Sequence, residues 1–180
     1  MIFNKTYDHW RLPEELAKVL KICRSCEPSP RYGIDQIHIE ANTFVATDGQ
    51  RLLVIEQKHD IREGCYFITG DNWLLNSVEA KFPFWRDIVP EVKKLKSLFK
   101  SHRSPADFSI VVAKLIAVKV AFDLTLFYPV FLAINSDDLT DFEVFVHKKD
   151  TSTSFFIVKA NCDLGKITYI QMPAKWDCDA

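Results

Sequence analysis

The sequence predicts an α+β fold made of two successive units, each laying one helix over several strands. Two observations carry this. Apolar spacing switches between the helical and the strand period in the order strand, helix, several strands, irregular middle, strand, helix, three strands. The strands also come in blocks rather than singly between helices, which argues against a parallel sheet.

Residues 2–11 read as a strand leading into a helix. In LPEELAKVLKICRSC, Pro13 suits the first helical position, and Glu14 and Glu15 the first turn, where the helix dipole favours acids. Leu16, Val19, Leu20 and Cys23 recur at helical spacing and mark the face turned to the core. From Tyr32 to Gln57 the pattern is extended. Ile37 and Ile39 alternate with His38 and Glu40, and FVATDG and RLLVIE flank the turn signal Asp48-Gly49. GCYFITG, 64–70, reads as a further strand. The stretch 72–107 is expected to be an irregular insertion. It holds a short helical piece in DNWLLNSVEA, an anchored extended run in KFPFWRDIVP, and a basic amphipathic helix in EVKKLKSLFK, with Val92, Leu95, Leu98 and Phe99 on one side. FSIVVAKLIAVKVAF is rich in β-branched residues and reads as a strand. LTLFYPVFLAI reads as a mostly buried helix, with Pro129 at a kink or in its first turn. FEVFVHK, SFFIVKA and KITYIQMP read as three closing strands.

A chain of 180 residues is one large domain or two small ones, and it can bury a sizeable core. No apolar run approaches the ~20 residues that cross a bilayer, and the N-terminus lacks the basic-then-apolar order of a signal peptide. A cytoplasmic location with no membrane partner is therefore expected. Five scattered cysteines make a poor disulfide framework and suit a reducing compartment. A net charge of −1 argues against a strong general nucleic-acid binder, although a local basic face would not show in the sum.

Catalytic chemistry finds little support. There is no GxSxG, no phosphate-binding glycine loop and no HExxH. Asp48 has no evident acid–base partner, and Cys65 and Cys162 sit in apolar strands. Cys23-Arg24-Ser25-Cys26 is a lone CxxC, so zinc would have to recruit His9 or His38. No catalytic residue, metal site or cofactor is expected, and a small enzyme with an unrecognised site is the weakest of the functional classes.

Three segments together resemble the bacterial sliding clamp, the beta subunit of DNA polymerase III. VATDGQRL, 45–52, is similar to the clamp's ATDGHRL hairpin; KFPFWRDIVP, 81–90, resembles its FPDYRRVLP segment; and YIQMPAKW, 169–176, resembles its C-terminus with a Met-Pro pair. They occur in the clamp's order. RLPEELAKVL and FDLTLFYPVFLAI match two of its helices more weakly. The resemblance implies a DNA-clamp-like fold, one domain over 1–180 made of two βαβββ units with an insertion in the middle. Two positions depart from the family: Gln50 stands where His is usual, and Ala174 where a second Met is common.

In that family the three segments converge on a pocket for short linear peptides of polymerases, the clamp loader and repair proteins. The resemblance implicates Thr47, Gly49, Gln50, Arg51 and Leu52 from the first segment, Pro90 from the second, and Ile170, Met172 and Pro173 from the third, with Ile34 beside them. The residue types suit the task. Leu52, Ile170, Pro90 and Pro173 supply an apolar floor, Met172 can repack, and Thr47 and Arg51 can donate hydrogen bonds. Taken alone, TDG is a hairpin turn, Arg51 a solvated strand end and YIQMP a terminal core strand; only their joint occurrence favours a pocket.

The family's second surface faces double-stranded DNA with basic helices that read no sequence. Lys18, Lys21 and Arg24 recur on one face of the first helix, and Lys93, Lys94, Lys96, Lys100 and Arg103 form a second cluster. Both are equally what a solvated helix face looks like. The expected function is that of a sliding-clamp-like processivity factor in replication or repair, binding partner peptides, with double-stranded DNA as a further candidate partner. The alternative is a non-encircling decoy or regulator that competes for such peptides. A ring would require a homo-oligomer joined through edge strands.

Overall fold

The computed structural model describes residues 4–6, 9–91, 95–102, 104–135, 138–147 and 154–173. The first part of the chain forms β1 (Asn4–Thr6), β2 (His9–Arg11), α1 (Glu14–Cys23), β3 (Ile37–Glu40), β4 (Thr43–Thr47), β5 (Arg51–Glu56), β6 (Gly64–Thr69) and β7 (Leu74–Val78). A 3₁₀ turn at Trp85–Asp87 follows. Then come β8 (Lys96–His102), α2 (Phe108–Ala117), α3 (Leu124–Ile134), β9 (Asp141–His147), β10 (Phe155–Cys162) and β11 (Gly165–Gln171). The strands make one antiparallel sheet in the order β1-β2-β7-β6-β3-β4-β5-β11-β10-β9-β8.

The second unit runs β8-α2-α3-β9-β10-β11, with two helices where the expected βαβββ unit has one. The first runs β2-α1-β3-β4-β5, and β6 and β7 then return along the far side of β3 to reach β2. The halves join where β5 pairs with β11, with Leu52 opposite Ile170 and Arg51 opposite Gln171. Gly165 opens β11 at φ +112°, and a Cβ there would stand 2.4 Å from the Glu56 carbonyl oxygen. Only glycine lets the β10–β11 turn lie this close to β5.

The sheet is apolar on both faces at this seam. One face carries the main core under the three helices, where Phe127, Phe131, Phe142, Phe156 and Tyr169 pack edge-on, tilted or stacked. The other carries a smaller cluster of Val45, Leu52, Val54, Phe145, Ile157 and Ile170. Strand alternation produces the division: Leu53 and Ile55 go to the helices, Leu52 and Val54 to the opposite face.

Helix α1 buries Leu16, Val19, Leu20 and Cys23 as their spacing predicts. Pro13 precedes the first helical residue, with extended dihedrals, rather than lying inside the helix. Helix α3 and β9–β11 also fall where the sequence places them.

Three elements differ. FSIVVAKLIA is helix α2, not a strand: the Asp107 carboxylate accepts from the Ser109 and Ile110 amides, and this cap outweighs β-branched propensity. KSLFKSH is strand β8, not a helix, and LLNSV is strand β7. Two stretches of the expected irregular insertion are thus regular members of the sheet.

Candidate peptide-binding site

The β4–β5 turn is built by its own polar groups. The Asp48 carboxylate accepts from the Gln50 and Arg51 amides, each at 2.9 Å, and the Thr47 hydroxyl donates to the Arg51 carbonyl at 2.6 Å. Gly49 occupies φ +89° with nothing within 4 Å of a notional Cβ, so conformation rather than space requires glycine. Beyond the turn, successive side chains go to opposite faces. Thr47 and Leu52 form a cross-strand pair on the face of the smaller apolar cluster, and Arg51 points into the helix layer.

The expected floor residues meet here. Leu52 and Ile170 are register partners across the seam, extended by Val45, Val54, Phe145 and Ile157. The Met172 amide donates to the Gln50 carbonyl at 2.9 Å, which carries the β11 end along the β4–β5 turn. Met172 is 40% exposed and Pro173 is half-buried. Pro90, also half-buried, follows Val89, which packs on the cluster. Ile34 lies in the α1–β3 loop and is not among the cluster's side chains. Ala174 lies outside the described residues.

The floor is covered. Leu52 is 3% and Ile170 1% exposed, and partly buried Phe82, Trp85, Val89, Leu95 and Phe155 pack against their cluster. The cover is fastened to Glu40 at the end of β3. Its carboxylate accepts from the Trp85 indole at 3.2 Å and from both terminal nitrogens of Arg86, and it lies 3.1 Å from His38 Nε2. Burial alone would raise the Glu40 carboxyl, but hydrogen bonds from Arg86 and Trp85 outweigh it and hold it below the usual carboxylate range. The His38 ring stacks on Phe82 at 5.0 Å. These contacts were not legible as a group; the sequence marks KFPFWRDIVP only as an anchored extended run.

Cys65 Sγ lies 3.6 Å from His38 Nδ1, giving an outline of thiol, imidazole and carboxylate. The chemistry does not follow the outline. Cys65 is buried, burial pushes its thiol up, and the imidazole is sandwiched against Phe82. The carboxylate is already taken by Trp85 and Arg86. The group fastens the 81–90 segment to the sheet rather than activating a nucleophile.

Arg51 has a different setting from the one its sequence context suggests. Its Nε donates to Asp48 at 2.8 Å, Nη1 to the Leu126 carbonyl at 2.7 Å, and Nη2 to the Ile22 carbonyl. Ile22 lies in the last turn of α1, whose carbonyls lack helical partners, and Leu126 lies in the first turn of α3. Gln171 extends this layer: its Nε2 donates to the Asp123 carbonyl and its Oε1 accepts from the Tyr169 hydroxyl. Burial pushes the Tyr169 phenol upward and the neighbouring Cys23 thiol up to about 12. The Arg51 guanidinium thus faces inward, away from the floor.

The described members of the two expected DNA-facing clusters lie on or beside α1 and on β8. Lys18 pairs with Glu14, Lys21 sits 5.1 Å over the Trp73 ring, and Arg24 turns back to donate to the Asp35 carbonyl at 2.6 Å. Lys96 and Lys100 lie on β8 rather than on a helix, and Lys100 is 3.8 Å from Glu143. Lys93, Lys94 and Arg103 lie outside the described residues. Helix α3 carries no basic residue and exposes Leu124, Tyr128 and Leu132, a stripe at i, i+4 and i+8. Among the described residues, no group of three or more His, Cys, Asp or Glu side chains is disposed to hold a metal ion.

Away from the apolar floor the same sheet face is polar, with a cavity of about 400 Å³ lined by Glu56, Lys100, Glu143, Lys159 and Lys166 among others.

Two helix-covered half-sheets joined edge to edge, with the β4–β5 turn, the 81–90 segment and the β11 end gathered at the seam, define a DNA-clamp-like fold. The structure is similar to the DNA polymerase III beta subunit of Thermotoga maritima, with a TM-score of 0.54 and 14% identity, over 98% of this chain and 68% of that one. At this identity the likeness is one of fold. No family model matches the sequence, and no curated protein matches it.

Proposed function

We propose that this is a non-enzymatic clamp-like protein of DNA replication or repair, which receives short linear peptides of polymerase or repair proteins at the β5–β11 seam. The observation that carries the reading is the in-register pair Leu52–Ile170, flanked by exposed Met172 and by the 81–90 segment. Three segments far apart in sequence thereby contribute apolar surface to one place, as a peptide's anchor side chains require. In this reading Leu52, Ile170, Pro90 and Pro173 are the floor, Met172 its adjustable wall, and Thr47, Gly49 and Gln50 the rim. Arg51 acts by positioning the turn. The test is fluorescence anisotropy with a labelled hexapeptide carrying adjacent Leu and Phe anchors. Saturable binding lost in Met172→Glu supports the site; equal binding by that variant refutes it.

A second reading, a non-encircling competitor for such peptides, is favoured by α3 and β8. The stripe of Leu124, Tyr128 and Leu132 offers phosphates no positive charge. The edge strand β8 carries Lys96 and Lys100 and a register shift between Ser97 and Phe99, features that discourage edge-to-edge pairing. Native mass by light scattering decides between them. A closed hexamer supports encirclement, and a monomer or dimer supports the competitor.

A further inference from the structure

Resting on the peptide-site reading, we propose that the strap from Phe82 to Val89 is a gate over the apolar floor, held shut by the Glu40 carboxylate. A floor for anchor side chains has to be reachable, yet Leu52 and Ile170 are almost fully buried. Phe82, Trp85 and Val89 pack against the cluster to which they belong and are each only partly buried, so this cover is less embedded than the cluster beneath it.

Besides this apolar packing, the strap has polar attachments at its root and its middle. At its root the Gly33 amide donates to the Lys81 carbonyl at 3.0 Å, and the Cys65 thiol donates to the Ala80 carbonyl at 3.5 Å. Its middle is held by the Trp85 indole and the Arg86 guanidinium on Glu40, with Phe82 stacked on His38. A single carboxylate therefore fixes the orientation of two consecutive strap residues. Releasing it frees the middle while the root stays tied. Phe84 and Ile88, on the same strap, already face solvent.

A protein whose binding-competent form is a minor population binds with affinity reduced by that fraction. Glu40→Ala and, independently, Arg86→Ala, which leaves the sheet untouched, should therefore bind the Leu-Phe hexapeptide more tightly. The gain is about tenfold if the open form is about a tenth of the wild-type population. Hydrogen exchange should accelerate in residues 82–89 while β4, β5 and β11 keep their protection.

Unchanged strap exchange in both variants, or acceleration spread over the whole sheet, would overturn the gate by making Glu40 irrelevant or a general structural tie. Faster strap exchange without tighter binding, in a protein whose peptide binding is lost in Met172→Glu, would overturn the gate and leave the site standing. Absence of peptide binding in the wild type and both variants would overturn the site, and the gate with it.

Discussion

Arg51 and Gln171 face each other in register across the β5–β11 seam, and both direct side-chain donors to helix carbonyls on the same side of the sheet. Arg51 reaches the end of α1 and the start of α3, and Gln171 reaches the residue that caps α3. The pair fixes both helices to the line where the half-sheets meet.

Arg51→Ala should therefore cost stability. It takes the guanidinium from Asp48 Oδ2, leaving only the two amides on Oδ1, and removes donors from the Ile22 and Leu126 carbonyls, a loss of about 3 kcal/mol for a buried pair broken from one side. Arg51→Lys, which keeps charge but loses the planar fork, should fall between. Urea unfolding followed by circular dichroism measures both; a wild-type midpoint for Arg51→Ala would contradict the assignment.

Gly165→Ala should destabilise by about 2 kcal/mol or more, because backbone conformation and the Glu56 carbonyl both resist a methyl there. Gly49→Ala meets open space and should show only the cost of its positive φ. Thermal melts of the two variants should rank them in that order.

Met172→Glu should leave stability within about 0.5 kcal/mol of wild type, as for an exposed position, while abolishing hexapeptide binding. Leu52→Asp is the uninformative choice, since a charge at a buried position would unfold the seam before it tested recognition.

Glu40 gives the protein a defined acid response. Its native carboxyl lies below its unfolded value, so its stabilising contribution is complete above the unfolded value and is lost as pH falls through the native one. His38 and Arg86 face it, and Glu63 acts on Arg86. The stability gap between wild type and Glu40→Gln should be widest near neutrality and should narrow once the pH passes below the usual carboxylate range. A gap that is constant with pH in denaturant titrations would contradict this.

Among the thiols, iodoacetamide at mildly alkaline pH should alkylate exposed Cys26 in the native protein and leave Cys23 untouched until unfolding, because Cys23 is buried and its pKa is pushed up to about 12. Peptide mapping by mass spectrometry reads both positions.

What was legible in the sequence was local. The Asp48-Gly49 turn makes its bonds within four residues, and the core face of α1 repeats at the helical period. Strand β8 was not legible because its register shift brings both Leu98 and Phe99 against the main core, so its apolar residues imitate helical spacing. Helix α2 was hidden by a β-branched run whose decisive signal was a single cap, Asp107. The inward setting of Arg51 had no sequence signal, because its acceptors are backbone carbonyls 29 and 75 residues away. Extending Leu52 by one strand period finds Val54, whereas Phe145 and Ile157 required the sheet order.

The seam also governs how the chain can be made. Strand β5 ends at residue 56, and its partner β11 does not begin until residue 165. During synthesis the N-terminal half leaves the ribosome with an apolar strand edge unsatisfied, and it stays so while more than half of the chain is translated. Closing a seam of such long sequence separation makes folding slow for the chain's size. A nascent chain stalled before β11 would be the most aggregation-prone species this protein passes through, and the one for which holding chaperones would matter most.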